Sequence, residues 1–135
     1  MESVKLLEFP IFEEDSGELV VFEENIAVIP FLIKRIFNVR SEKDSVRGKH
    51  AHRLCSQILI CSNGYIEVTC DDWTNKEIYI LNKPNYGLLV SPGIWTELKY
   101  IKQNTSMTVI CDRLYEAEDY ISDYADFRIF ANTLN

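Results

Sequence analysis

The chain has 135 residues, 47% of them apolar and 26% charged, the make-up of one folded domain rather than of a disordered or two-domain protein. Its net charge of −7 excludes a general nucleic-acid binder, which carries a basic surface. The charge is uneven, however: residues 1–24 hold eight acids against one lysine, whereas residues 34–53 hold seven basic residues against two acids. A basic stretch in an acidic chain is a candidate seat for a small anion.

In chain order, the N-terminus MESVKLLEF has no basic segment followed by a long apolar one, so it does not read as a secretory signal. The longest apolar run, Ile26 to Ile33, is eight residues and contains Pro30. A membrane helix needs about 20 such residues, so the expectation is a soluble, cytoplasmic protein with no membrane partner. The segments Leu19–Phe22, Ile33–Val39, Ser56–Cys61, Tyr65–Cys70, Ile78–Leu81, Gly87–Val90 and Met107–Cys111 are short, β-branched or aromatic, and read as strands. In the sixty-fifth to seventy-first positions the alternation puts Ile66, Val68 and Cys70 on the inward face. Asn63-Gly64 is a type I′ hairpin signal, Asp72-Trp73-Thr74-Asn75 reads as a second turn and Lys83-Pro84-Asn85 as a third. Strands at this spacing indicate an all-β sandwich or barrel.

From Glu116 onward Tyr120, Ile121, Tyr124 and Phe127 recur at helical spacing. That predicts one short C-terminal helix against the barrel, with Asp112, Glu116, Glu118 and Asp119 at its start, where acids suit the helix dipole, and otherwise solvated. Cys55, Cys61, Cys70 and Cys111 form no C-x-x-C pair and sit in or beside apolar runs, as reduced core thiols do.

The chain has two histidines, His50 and His52, which flank Ala51 in the most basic part of the sequence. In an extended strand residues i and i+2 share a face, so both imidazoles project together, into the barrel. Such a pair serves either metal ligation or general acid–base chemistry.

His50-Ala51-His52, Gln57 and Gly64 resemble the first motif of the cupin barrels, and Gly87-Leu88-Leu89-Val90-Ser91-Pro92-Gly93 resembles the second. Metal-binding cupins carry a glutamate where this chain has Gln57, and a third histidine near Thr96. Two histidines and a neutral amide hold a divalent ion weakly, and the resemblance is to a cupin without its metal. The order Ile33-Lys34-Arg35, Arg47-Gly48-x-His50-Ala51-His52, Gln57 to Cys61, Asp71-Asp72, Gly87-Leu88, Trp95-x-Glu97 and Asp119-Tyr120-Ile121 is similar to the dTDP-4-keto-6-deoxyhexose 3,4-ketoisomerases over nearly the whole chain.

That resemblance implies an all-β cupin jelly-roll barrel with one short C-terminal helix, in a homodimer with an exchanged N-terminal strand. Leu6–Phe12 and Leu19–Phe22 are the apolar segments available for such pairing. It also implies a cytoplasmic isomerase of a dTDP-linked 4-keto-6-deoxyhexose, working without metal or organic cofactor, that supplies an unusual deoxy or amino sugar for surface polysaccharide. His50 is then the base that removes the C3 proton and delivers a proton at C4. His52 orients the substrate, holds the tautomer of His50 or delivers a proton. Arg47 binds the diphosphate with its planar fork, and Arg35 is the second candidate. Gln57 either hydrogen-bonds a sugar hydroxyl or carbonyl or is a satisfied barrel amide; Trp95 either stacks on sugar or thymine or, the commoner place for a tryptophan at a strand end, packs in the core; Glu97 either hydrogen-bonds a histidine or pairs with a surface lysine. Asn38 enters because many relatives carry a tyrosine at the positions of Phe37 or Asn38, where this chain has no hydroxyl. A cofactor-free epimerase, a metal-dependent cupin oxygenase and a non-catalytic sugar-binding module are the competing readings.

Overall fold

The computed structural model describes residues 1–25 and 27–134, so Ile26, the first residue of the apolar run noted above, lies outside the described residues. Two five-stranded antiparallel sheets face each other as a cupin-type jelly roll. The first runs β1 (Val4–Glu8), β9 (Tyr86–Val90), β6 (Gln57–Asn63), β11 (Thr105–Cys111), β4 (Arg35–Ser41). The second runs β12 (Tyr120–Ile121), β5 (Val46–His52), β10 (Trp95–Tyr100), β7 (Ile66–Asp71), β8 (Lys76–Leu81). A separate hairpin joins β2 (Ile11–Glu14) to β3 (Gly17–Val20).

The inward faces make the main core: Leu59, Leu88, Val109 and Met107 from the first sheet meet Ile66, Val68, Cys70 and Leu98 from the second. The alternation expected for β7 is therefore met. β6 does not alternate because both its faces are covered. Ile58 and Ile60 pack outward with Leu7, Phe9, Ile29 and Ile110 in a second cluster, while Leu59 and Cys61 point inward. A third cluster, Ala51, Trp95, Ile121, Phe127 and Ala131, lies between the outer face of the second sheet and helix α1 (Tyr124–Thr133). Among the described residues no helix is long and apolar enough to cross a membrane. All four cysteines are free and buried.

Two expectations are corrected. Asn63-Gly64 is not a hairpin turn: β6 and β7 belong to different sheets, and the dipeptide carries the chain across the barrel wall. Gly64 is required there, with φ +101° and a Cβ position that would lie 2.8 Å from Thr105 Cα. The helix starts at Tyr124, not near Glu116, capped by Asp123, whose carboxylate accepts from Asp126 N at 3.1 Å. Before it, Ala117–Asp119 forms a single 3-10 turn and Tyr120–Ile121 a two-residue strand on β5. The N-terminal apolar run also divides. β1 pairs with β9 of its own sheet and Phe9 is buried, whereas Phe12 and Leu19 on the β2–β3 hairpin are exposed.

Candidate active site

The facing sheets enclose a cavity of about 460 Å³ lined by residues of β4, β5, β6, β10, β11 and β12. The local backbone of β5 decides what points into it. His50 pairs with Thr96 and Gly48 with Glu97, so Lys49 is an extra residue, a bulge. Gly48 and Lys49 both have positive φ, +80° and +59°. A Cβ on Gly48 would lie 2.9 Å from the Thr96 carbonyl oxygen. The bulge reverses the side-chain parity. Arg47, opposite Leu98, and His50, opposite Thr96, thereby line one cavity although three residues apart. Beyond the bulge alternation resumes: Ala51 turns out into the helix-side cluster, and His50 and His52 share a face, their rings 5.2 Å apart and nearly perpendicular.

The two histidines differ in what surrounds them. His50 lines the cavity. Burial, and then the neighbouring His52, hold its imidazole below the ordinary histidine pKa, leaving it neutral at neutral pH. His52 is buried behind it. Its Nδ1 donates to Asp119 Oδ2 at 2.7 Å, and its Nε2 is enclosed without a partner. Burial lowers the His52 pKa against the opposing effect of Asp119. Burial raises the Asp119 carboxyl, but hydrogen bonds from His52 and from the Leu54 N–H at 2.6 Å outweigh it, and the net shift is downward. The pair is thus a neutral imidazole protonated on Nδ1 against an ionised carboxylate.

Gln57 is buried on the cavity wall and donates through Nε2 to Cys111 Sγ at 3.5 Å. Arg35 donates to the same sulfur at 3.6 Å and lies over the rings of Phe37 and Tyr115, 5.3 and 5.6 Å from their centroids. The contact with Cys55, then Arg35 and Gln57, pushes the Cys111 thiol pKa down.

Three of the sequence candidates lie elsewhere. Asn38 alternates with Phe37 on β4: Phe37 lines the cavity, while Asn38 is exposed on the outer face and accepts from Thr108 Oγ1 at 2.7 Å. On β10 the cavity receives Thr96, Leu98 and Tyr100, which sends Trp95 and Glu97 the other way. Trp95 is buried against Tyr124 and Phe127, and its Nε1 donates to Glu97 Oε2 at 3.1 Å. Neither reaches a histidine.

Two residues that the sequence reading passed over are central. Asp119, expected on a solvated helix face, is buried on His52. Tyr120 lines the cavity with its ring 5.1 Å from His50 and 4.4 Å from His52. The motif Asp119-Tyr120-Ile121 was the available signal, because a Tyr-Ile dipeptide suits a strand as well as a helix.

Among the described residues His52, Cys55 and Asp119 are a trio whose ligand atoms lie within 4.8 Å of one another. His52 Nδ1 and Asp119 Oδ2 are already hydrogen-bonded to each other, and the Cys55 thiol is pushed strongly up by Cys111 and by burial, hence protonated. A metal ion held by all three would have to deprotonate that thiol.

A family model described as "FdtA: WxcM-like, C-terminal" matches residues 2–132. The chain is 34% identical over 132 residues to a TDP-4-oxo-6-deoxy-alpha-D-glucose-3,4-oxoisomerase of Aneurinibacillus thermoaerophilus, covering 97% of this chain and 94% of the relative. Its fold is similar to a 3,4-ketoisomerase from Helicobacter canadensis, with TM-score 0.89, 34% identity and 96% and 97% of the two chains covered. It is also similar to a histidine-to-asparagine variant of the 3,4-ketoisomerase QdtA from Thermoanaerobacterium thermosaccharolyticum in complex with TDP-4-keto-6-deoxyglucose. There the TM-score is 0.92 at 29% identity, covering 98% and 96% of the chains.

Proposed function

The chain belongs to the FdtA (WxcM-like, C-terminal) family, and from that membership we propose that it is a 3,4-ketoisomerase of a TDP-linked 4-keto-6-deoxyhexose. The observation that carries the reading to the reacting atoms is His50, a neutral imidazole on the wall of a cavity that also receives Arg47 and Gln57.

In such a substrate the C3–H bond is acidified by the adjacent C4 carbonyl. Neutral His50 takes the C3 proton, the C–H electron pair becomes the C3=C4 bond, and negative charge develops on O4. Delivering a proton from His50 to C4, as the O3 hydroxyl proton passes to O4 and C3 becomes a carbonyl, completes the isomerisation. C3 is oxidised and C4 reduced within one molecule, so the step balances without an external oxidant. His52 is a positioning residue: held by Asp119, it packs edge-on against the His50 ring, and its proximity is one of the causes that keep His50 unprotonated. The fork of Arg47 suits the diphosphate, the Arg35 guanidinium suits charge developing on oxygen, and the Gln57 amide suits a sugar hydroxyl.

A homodimer is part of the proposal. The β2–β3 hairpin belongs to neither main sheet and exposes Phe12 and Leu19, an apolar surface fit to pack on a second copy. The proposed compartment is the cytoplasm, supported by four free thiols, and the proposed role is supply of a deoxy or amino sugar for surface polysaccharide. Proton NMR of the purified protein with TDP-4-keto-6-deoxyglucose tests the activity. Appearance of the 3-keto isomer is expected, and an unchanged substrate spectrum overturns the reading.

A further inference from the structure

Cys111 ends β11 with its sulfur turned into the barrel and fully buried. That sulfur accepts two side-chain hydrogen bonds, from the Arg35 guanidinium at 3.6 Å and from Gln57 Nε2 at 3.5 Å. A cationic donor and an amide donor on one sulfur are the surroundings of a thiolate. The proposed isomerisation has no use for one.

A second thiol lies beside it. Cys55 stands two residues before β6, where that strand is tied to the end of β11. Asp112 N donates to the Ser56 carbonyl at 3.2 Å, Ser56 N donates to Asp112 Oδ1 at 3.0 Å, and Gln57 is the register partner of Cys111. The Cys55 thiol reaches the Ser56 carbonyl at 3.4 Å and the Cys111 sulfur. From this arrangement we propose that Cys111 and Cys55 are a dithiol that a hydroperoxide oxidises to a disulfide, with Cys111 as the attacking sulfur and Cys55 as the resolving one. The other two cysteines differ. Cys61 donates to the Asn63 carbonyl at 3.4 Å, and burial pushes the Cys61 and Cys70 thiols up, to about 11 and about 12.

The Cys111 thiolate attacks one peroxide oxygen: the S–O bond forms, the O–O bond breaks, and the departing hydroxide takes the Cys55 thiol proton to become water. The Cys55 thiolate then attacks the Cys111 sulfenic sulfur. The S–S bond forms, the S–O bond breaks, and hydroxide leaves and is protonated by solvent. Both sulfurs are oxidised and the peroxide is reduced to two waters. Gln57 lines the cavity and touches the sulfur, so the oxidant arrives by the substrate's own route. The disulfide is neutral, and Arg35 and Gln57 lose a charged acceptor. Both face the isomerisation site, so oxidation slows turnover. This consequence rests on the ketoisomerase reading, whereas the dithiol itself does not.

The test is intact mass and peptide mapping of the reduced, full-length protein before and after hydrogen peroxide. A loss of about 2 Da, for two hydrogens, a cross-linked Cys55–Cys111 peptide and reversal by dithiothreitol are expected. Cys55→Ser should stop at the Cys111 sulfenic acid, which dimedone captures, and Cys111→Ser should form no disulfide. Product formation from TDP-4-keto-6-deoxyglucose should fall about tenfold or more in the oxidised protein, as when reacting groups are displaced, and return with dithiothreitol. An unchanged mass, a disulfide through Cys61 or Cys70, or equal dimedone capture at all four cysteines in wild type would overturn the dithiol. An oxidised form as active as the reduced one would overturn its link to the site. A protein that forms the Cys55–Cys111 disulfide but never makes product would support the dithiol and overturn the ketoisomerase reading.

Discussion

His52 Nδ1 donates to Asp119 Oδ2 over 2.7 Å, joining the end of β5 to a turn 67 residues further along the chain. The contact does two things. It fixes the His52 tautomer with the proton on Nδ1, and it pins the segment that presents Tyr120 to the cavity. The same carboxylate accepts from the Leu54 N–H through Oδ1, so both its oxygens are engaged.

Asp119→Asn therefore reverses the hydrogen-bond preference of His52 with little change of shape. The expected outcome is a fall in kcat of about 10- to 100-fold, the effect typical of losing a partner that orients a histidine, with KM changed far less. Steady-state kinetics check this, and a variant altered mainly in KM would contradict the positioning role.

The same residue sets an acid limit on stability. The folded-state pKa of Asp119 lies below its unfolded value, so its contribution is fully present above the ordinary aspartate pKa of about 3.9. It is lost as pH falls through the lower, folded value. The Tm of wild type should drop more steeply than that of Asp119→Asn between about pH 4 and pH 2. Parallel Tm curves would show that the pair contributes nothing.

The sheet architecture was legible in the sequence, and so was the shared face of His50 and His52. Both depend on local alternation and on apolar runs such as Ile58-Leu59-Ile60-Cys61. The misreadings have one origin, since local pattern does not specify tertiary partners. Asn63-Gly64 has turn chemistry, but that chemistry does not say whether the flanking strands pair or diverge. Tyr120, Tyr124 and Phe127 fit a helical period, yet the chain spends Tyr120 and Ile121 on pairing with β5. The parity of Arg47 depends on a bulge at Lys49, and the alternation that points Phe37 into the cavity necessarily points Asn38 out.

That bulge supplies another prediction. Gly48→Ala puts a Cβ at positive φ and against the Thr96 carbonyl, a cost of about 2 kcal/mol or more. Thermal unfolding should show the loss. Activity should fall further than stability explains, because the Arg47 and His50 side chains share their face only through this backbone.

Substitutions at the sequence candidates should sort by face. Arg47→Gln removes charge-assisted hydrogen bonds worth about 1.5–3 kcal/mol, so KM for the nucleotide sugar rises about 10- to 100-fold. Asn38→Ala, on the outer face with Thr108, should leave kcat and KM within about twofold, as surface changes usually do. Trp95→Leu should lower Tm by opening the cluster under α1 while leaving KM nearly unchanged. An Asn38 variant as impaired as Arg47→Gln would contradict this division.

His50 bears the central claim, and its lowered pKa adds a pH signature: the acid limb of kcat/KM should have its midpoint below the ordinary histidine value of about 6.5. The most direct measurement is deuterium exchange at C3 of TDP-4-keto-6-deoxyglucose in deuterated water, followed by NMR for wild type and His50→Asn. Wild type should incorporate deuterium and form the 3-keto isomer, while His50→Asn should do neither yet still bind TDP. Exchange by His50→Asn at the wild-type rate would contradict the assignment of His50 as the base.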